Sequence, residues 1–181
     1  MDELHARLER GPREPGDSLT AARRAAVLIP LFVRDGALWI LFTRRTETVE
    51  HHRGQISFPG GAEEADDETL LATALRETRE EIGVAESDVR YLGALSPLTT
   101  VTDFYVEPFV GAIPSPYAFT VEQAEIAEMI EAPVAALLDP KILETKILPG
   151  REEPVLFYHY GQHVIWGATG RMLQELLEAI R

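Results

Sequence analysis

The sequence predicts an α/β fold of the mixed α+β kind, a mixed β-sheet sandwiched between helices. Two observations carry that prediction. Strand-like apolar runs and helix-like amphipathic segments are interspersed along the chain without regular strand–helix–strand alternation. Several of the strand-like runs also come as turn-linked pairs, which antiparallel neighbours require.

Residues 1–20 open with a short amphipathic stretch and pass into GPREPGDS, whose proline and glycine content reads as a mobile arm. Residues 21–181 are then expected to form one domain. From Ala25 the run AAVLIPLFV reads as a strand, and Asp35-Gly36 reads as a hairpin turn into ALWILFTRR. HHRGQISFPGG reads as loop, short strand and loop. From Glu68 to Ile82, Leu71, Leu75, Thr78 and Ile82 recur with helical spacing, and Gly83 stands where a C′ glycine ends a helix. VRYLGALSPL and DFYVEPFVGAI read as strands across a Thr-rich loop. EQAEIAEMIEAPVAALLDP reads as a loop, then a strand or short helix, then a helix stopped near Pro140. FYHYGQHVIWG is a strand–turn–strand pattern, and TGRMLQELLEAIR is a closing helix with Met172, Leu173, Leu176, Leu177 and Ile180 apolar.

Composition removes several classes of function. An apolar share of 45% and a charged share of 26% are those of a soluble globular protein. No apolar run approaches the ~20 residues that span a bilayer, and MDELHARLER lacks the apolar core of a secretory signal. A cytoplasmic location without membrane association is expected. Cysteine is absent, which excludes disulfides, Cys-based zinc sites and thiol nucleophiles. A net charge of −13 argues against nonspecific nucleic-acid binding, which needs a basic surface. An acidic chain acting on a phosphorylated substrate needs local cations: a bound metal, placed arginines, or both.

The stretch FPGGAEEADDETLLATALRETREEIGV, residues 58–84, meets that need. Glu77, Glu80 and Glu81 stand at i, i+3 and i+4, so a helix puts them on one face, away from the Leu71–Leu75–Ile82 stripe. Like charges this close repel one another. A hard divalent cation such as Mg²⁺ or Mn²⁺ removes the penalty, because it prefers carboxylate and water oxygens. Gly60-Gly61 gives a sharp turn that lets backbone approach a ligand, and Arg76 beside Glu77 orients a carboxylate or meets a phosphate.

The segment resembles the Nudix box: Gly, five residues, Glu, seven residues, then Arg-Glu-aliphatic-x-Glu-Glu-x-Gly-aliphatic. Arg76, Glu77, Glu80, Glu81, Gly83 and Val84 match in register, with Glu68 at the upstream acidic position. The sequence departs from the pattern at Ala62, which holds the first Gly position, and at Thr78, which replaces a bulky aliphatic residue. The longer loop leaves Glu68 and Asp67 both open for the acidic role. The resemblance implies a sheet sandwiched by helices, a divalent metal on Glu77, Glu80 and Glu81, and hydrolysis of a nucleoside diphosphate linked to another group. It also implies a further acid from a later loop, for which Glu125 is the candidate with Glu128 behind it.

Upstream, LFTRRTETVEHHRGQISFPGG resembles the signature of the coenzyme A diphosphatase branch of that family. Leu41, Thr43, Arg45, Gly54, Phe58, Pro59, Gly60 and Gly61 match in position; Phe42 and Thr46 are mild changes, and Glu50 reverses the charge of an arginine. Coenzyme A carries a diphosphate and a 3′-phosphate, so Arg44, Arg45 and Arg53 become candidates for holding those charges. Competing readings are a family member acting on ADP-ribose, NADH or a dinucleoside polyphosphate, and a nucleotide-binding module without hydrolysis, which would be expected to lose box acids that are intact here. His51, His52, His159 and His163 are read as loop and hairpin residues rather than metal ligands, and Tyr158 and Trp166 as core or hairpin residues. The expected partner is a small-molecule substrate, with homodimerisation left open.

Overall fold

The computed structural model describes residues 1–9, 23–47, 54–150 and 153–181. After a short helix α1 (Asp2–Leu8), the chain enters β1 (Arg23–Arg34), which is buried along most of its length. A strand apolar on both sides needs cover on both faces. Ala26, Leu28 and Phe32 point to one face of the sheet, and Ala25, Ile29 and Leu31 to the other. Asp35 and Gly36, both at positive φ (50° and 76°), turn the chain into β2 (Ala37–Arg45). That is the two-residue hairpin turn an Asp-Gly pair favours.

There follow β3 (Ile56–Ser57), β4 (Gly60–Ala62), α2 (Leu70–Ile82), β5 (Arg90–Ala94), β6 (Leu98–Thr99), β7 (Phe104–Ala112) and β8 (Ile126–Pro133). The chain closes with α3 (Val134–Leu137), β9 (Leu143–Lys146), β10 (Val155–Tyr160), β11 (His163–Trp166) and α4 (Gly167–Ile180). Among the described residues, eight strands make one mixed sheet along the order β3-β2-β1-β7-β5, with β4 added to β1, β6 to β7 and β8 to β2. The central β1–β7 pair is parallel, from Arg23 beside Phe104 to Leu31 beside Ala112, and its neighbours are antiparallel. A second, antiparallel sheet has the order β11-β10-β9.

Helix α2 covers one face of the large sheet, where Leu70 and Ala74 meet Ala26, Leu28, Tyr105 and Phe109. Helix α4 and the small sheet cover the other, through Met172, Leu173, Leu176, Leu177, Tyr158 and Ile165. This is the expected sandwich. Each such buried side chain contributes roughly 1.5–3 kcal/mol over an exposed one.

Three elements depart from the sequence expectations. Residues 2–8 are a docked helix rather than the start of an arm: Leu4 and Leu8, one turn apart, are buried, and His5 Nδ1 meets the Leu92 carbonyl oxygen at 2.7 Å. The Pro/Gly-rich part of the expected arm lies outside the described residues. Strand β9 was not expected, because LETK has no apolar alternation; it is held as a sheet edge by β10. The strand foreseen across VRYLGALSPL is broken between Ala94 and Leu98.

Candidate active site

The site is built on the edge of α2. Thr69 caps its start, accepting a hydrogen bond from the Ala72 N–H at 3.1 Å, and Gly83 ends it in the left-handed conformation (φ 75°). The stripe facing the sheet is Leu70, Ala74, Thr78 and Ile82, whereas Leu71 and Leu75 are half-buried. This rotates the helix from the expected stripe and corrects the placement of the acids. Glu80 points outward with half of its side chain exposed, Glu77 is 18% exposed and Glu81 only 4%. Glu81 therefore lies on the sheet side of the helix, not away from it. Burial raises the carboxyl of Glu77 and pushes that of Glu81 up to about 8, with Arg45 and the Gly60 N–H acting in the opposite direction.

Arg76 organises the outer half of the cluster. Its Nη1 donates to Glu77 Oε1 at 3.0 Å and to Glu80 Oε2 at 3.1 Å, and its Nη2 donates to the Ala62 carbonyl at 3.1 Å. Asp67 anchors it, accepting from Nε and Nη2, while also accepting from the Glu64 N–H and the Thr73 hydroxyl at 2.9 Å. Hydrogen bonding to Arg76 holds the Asp67 carboxyl far below its usual range. Of the two acids left open by the longer loop, Asp67 is thus the one engaged with the helix, and Glu68 is exposed.

Arg45 organises the inner half. Its Nη1 donates to Glu81 Oε1 at 3.3 Å, and its Nη2 lies 3.6 Å from Glu125 Oε2. Its Nε is buried and has no hydrogen-bond partner among the described residues. The Gly60 N–H donates to the other oxygen of Glu81 at 3.3 Å. The two glycines of FPGG bring the backbone close to its neighbours here. Gly60 has a φ of 153°, and a Cβ on it would strike the Ala26 carbonyl and Val27. A Cβ on Gly61 would sit 2.5 Å from the carboxyl carbon of Glu77. Phe58, 1% exposed and stacked on Phe42, fixes the approach to this turn.

The structure thus gathers Arg76, Glu77, Glu80, Glu81, Arg45, Gly60, Gly61 and Glu125 around one edge of α2. It does not bring in Arg44. Alternation along β2 sends Leu41 to the α2 face and Ile40 and Phe42 to the α4 face. Arg44 follows Phe42; its Nε donates to Glu128 at 2.9 Å, and Glu128 lies 3.5 Å from His163. Glu128, the second candidate for the late acid, is therefore paired on the opposite side of the sheet. His159 pairs with Glu144 and not with His163, because the hairpin sets His159 opposite Val164. Arg53, His51 and His52 lie outside the described residues. Thr46, read in the sequence only as a mild change within the upstream signature, holds the backbone beneath Glu125, and too much chain separates the two for spacing to reveal that link.

Among the described residues no group of three or more His, Asp or Glu side chains is placed so that it could hold a metal ion. The donor chemistry nevertheless suits a hard divalent cation: Glu77 interacts electrostatically with both Glu80 and Glu125, and Glu81 with both Glu77 and Glu125. The backbone at Gly61 leaves the space beside Glu77 that any side chain would fill.

A family model for the NUDIX domain matches residues 14–149. The chain belongs to the Nudix family. The uncharacterized Nudix hydrolase NudL of Photorhabdus laumondii subsp. laumondii is 35% identical over 161 residues, covering 88% of this chain and 86% of that protein. NudL of Yersinia pestis is 35% identical over 160 residues, covering 87% and 80%. Among solved structures, the Nudix domain of Shewanella oneidensis NrtR, complexed with ADP ribose, superposes with a TM-score of 0.56 at 18% identity, covering 92% of each chain. A MutT/Nudix family protein from Enterococcus faecalis has a TM-score of 0.62 at 14% identity, covering 95% of this chain and 65% of that one. Those two likenesses concern the fold. This Nudix chain is a hydrolase of pyrophosphate bonds in nucleoside diphosphate derivatives, and Nudix hydrolases generally use divalent metal ions. No helix among the described residues is long and apolar enough to cross a membrane.

Proposed function

We propose that this Nudix hydrolase cleaves the diphosphate bond of coenzyme A, giving 3′,5′-ADP and 4′-phosphopantetheine, with Mg²⁺ or Mn²⁺ held by Glu77, Glu80 and Glu81. The observation that carries the reading is that Arg45, Gly60 and Gly61 stand against those acids. Arg45 pairs with Glu81, the Gly60 N–H meets Glu81, and Gly61 abuts Glu77. The segment that resembles the coenzyme A signature is therefore in direct contact with the carboxylates, so substrate choice and chemistry share one surface.

The metal, when bound, neutralises the diphosphate and lowers the barrier to attack by water. The chain's own groups supply the rest. Arg76 holds Glu77 and Glu80 in one orientation and, being anchored on Asp67, does not need to move. Arg45 keeps Glu81 and Glu125 from repelling one another as the substrate's negative charge enters. Glu125, half exposed on its loop, accepts the proton of the attacking water; one P–O bond forms to the water oxygen while the bridging P–O bond breaks. Arg53 remains the candidate for the phosphates of the adenosine half.

The test is product chromatography after incubation with Mg²⁺ or Mn²⁺ and, separately, coenzyme A, ADP-ribose, NADH and diadenosine polyphosphates. Faster release of 3′,5′-ADP from coenzyme A than of products from the others supports the proposal. Faster turnover of another member overturns the substrate and keeps the metal helix. Turnover of none, with either metal, leaves a nucleotide-binding module as the better reading.

A further inference from the structure

We propose that Thr46 is a positioning residue for Glu125, so that the end of β2 sets the geometry of the proton acceptor rather than contacting the substrate. The inference rests on the assignment of Glu125 just made. The Thr46 N–H donates to the Glu125 carbonyl at 2.8 Å, and its hydroxyl donates to the Ala124 carbonyl at 2.9 Å. One residue thus grips the two consecutive peptide units that flank the Cα of Glu125. Immediately before Thr46 the ladder between β2 and β8 slips: Arg44 faces Glu128, but Arg45 faces Ile126, leaving Ala127 without an opposite number. Such bulges re-aim side chains. Here Glu128 stays on the far face with Arg44, while Glu125 is delivered to Arg45 on the near one.

The other end of the loop is fastened to α2 itself. The Thr120 N–H donates to the Ile82 carbonyl at 3.1 Å, and the Glu122 N–H to the Glu81 carbonyl at 2.9 Å, satisfying acceptors that the helix end leaves free. A tight turn then carries the chain to Thr46, with the Glu125 and Ile126 N–H groups both donating to the Glu122 carbonyl. Glu125 is strung between the backbone of Glu81 and the clasp of Thr46. Small displacements of a reacting group cost much of its effect, so the hydroxyl of Thr46 acts on turnover through Glu125.

The experiment compares Thr46→Val, Thr46→Ser, Glu125→Gln and the Thr46→Val/Glu125→Gln double variant, with Mg²⁺ and coenzyme A or whichever diphosphate the substrate panel shows to be turned over. Valine keeps the branched shape and removes the donor. The Ala124 carbonyl lies at the surface, where water replaces the lost bond, so thermal stability is expected to stay at the wild-type value. Thr46→Val should lower kcat about tenfold with KM unchanged, and Thr46→Ser should restore it. In Glu125→Gln protein the added Thr46→Val change should have no further effect. In chelated protein, amide exchange at Glu125 and Ile126 should be faster in Thr46→Val than in wild type. Wild-type kcat in Thr46→Val alongside an impaired Glu125→Gln overturns the positioning role alone, as does an additive double variant. Wild-type kcat in Glu125→Gln removes the acceptor itself and overturns both.

Discussion

Arg76 meets Asp67 side-on, Nε to Oδ1 and Nη2 to Oδ2, each at 3.0 Å, in the bidentate fork that arginine makes with a carboxylate. The pair is well shielded, with Asp67 only 6% exposed. Its effect reaches the acids, because the remaining Nη1 is shared by Glu77 and Glu80. Asp67→Asn keeps the shape but supplies an N–H where an acceptor is needed. It should lower stability by about 1–3 kcal/mol, read as a lower urea midpoint, and should lower kcat by freeing Arg76. A variant with an unchanged midpoint and unchanged kcat would show that the fork is ornamental.

Glu81→Gln and Glu80→Gln separate the chemistry from the fold. Glutamine at position 81 still accepts from the Gly60 N–H, so folding is expected to survive. If these carboxylates hold the metal, turnover should fall by a factor on the order of 100 or more, and the Mg²⁺ concentration for half-maximal activity should rise. Near-wild-type activity in both variants would exclude Glu80 and Glu81 as ligands.

Stability without metal should depend on pH through the same buried acid. The Glu81 carboxyl sits at about 8, above its ordinary value, because burial disfavours the charged form. The fold therefore favours the protonated group, and that contribution is complete below the ordinary carboxyl range and lost as pH rises through about 8. In chelator the melting temperature should decline across that window; added Mg²⁺ should reduce the decline, since cation binding favours the ionised acid. Glu81→Gln should flatten the chelator curve. A curve of the same slope in Glu81→Gln would place the titrating group elsewhere.

Much of this arrangement was legible before the structure, for identifiable reasons. Asp35-Gly36 and Gly83 act through local backbone geometry, which neighbouring residues alone determine. The position of Glu81 was not legible, because the stripe Leu71–Leu75–Ile82 and the stripe Leu70–Ala74–Thr78–Ile82 differ by a fraction of a turn. The choice between them is made by Ala26, Leu28 and Phe109 on the sheet, residues distant in sequence. Strand β9 owes its existence to β10 in the same way. The separation of Arg44 from Arg45 was recoverable, since adjacent residues on a strand face opposite ways, and Phe42 marks the face that Arg44 shares.

That separation yields a contrast between neighbours. Arg44 is engaged with Glu128 on the α4 side of the sheet, and Arg45 with Glu81 and Glu125 on the α2 side. Arg44→Gln should leave kcat and KM for the diphosphate substrate within about twofold of wild type, as expected for a partly exposed ion pair. Arg45→Gln should depress kcat and move the pH dependence of stability upward, because the cation that opposes the rise at Glu81 is gone. Equal losses in the two variants would mean that both arginines reach the substrate.

Thr78 offers a last prediction, about packing alone. It is fully buried on the sheet side of α2, and its hydroxyl donates to the Ala74 carbonyl at 2.6 Å. That carbonyl also faces the Thr78 N–H one helical turn on, so it is not orphaned when the hydroxyl is removed. Valine keeps the branched shape, replaces a buried hydroxyl by a methyl and ends the back-bonding that slightly disfavours helices. The lost bond is worth about 0.5–1.5 kcal/mol and the added methyl about 0.8 kcal/mol, while the hydroxyl no longer has to leave water. Thr78→Val should therefore raise the urea midpoint slightly or leave it unchanged, with kcat unaffected because the hydroxyl removed bonds the Ala74 carbonyl and none of the acids. A loss of more than about 1 kcal/mol would show that the hydroxyl, and not the methyl, is what the packing between α2 and the sheet requires.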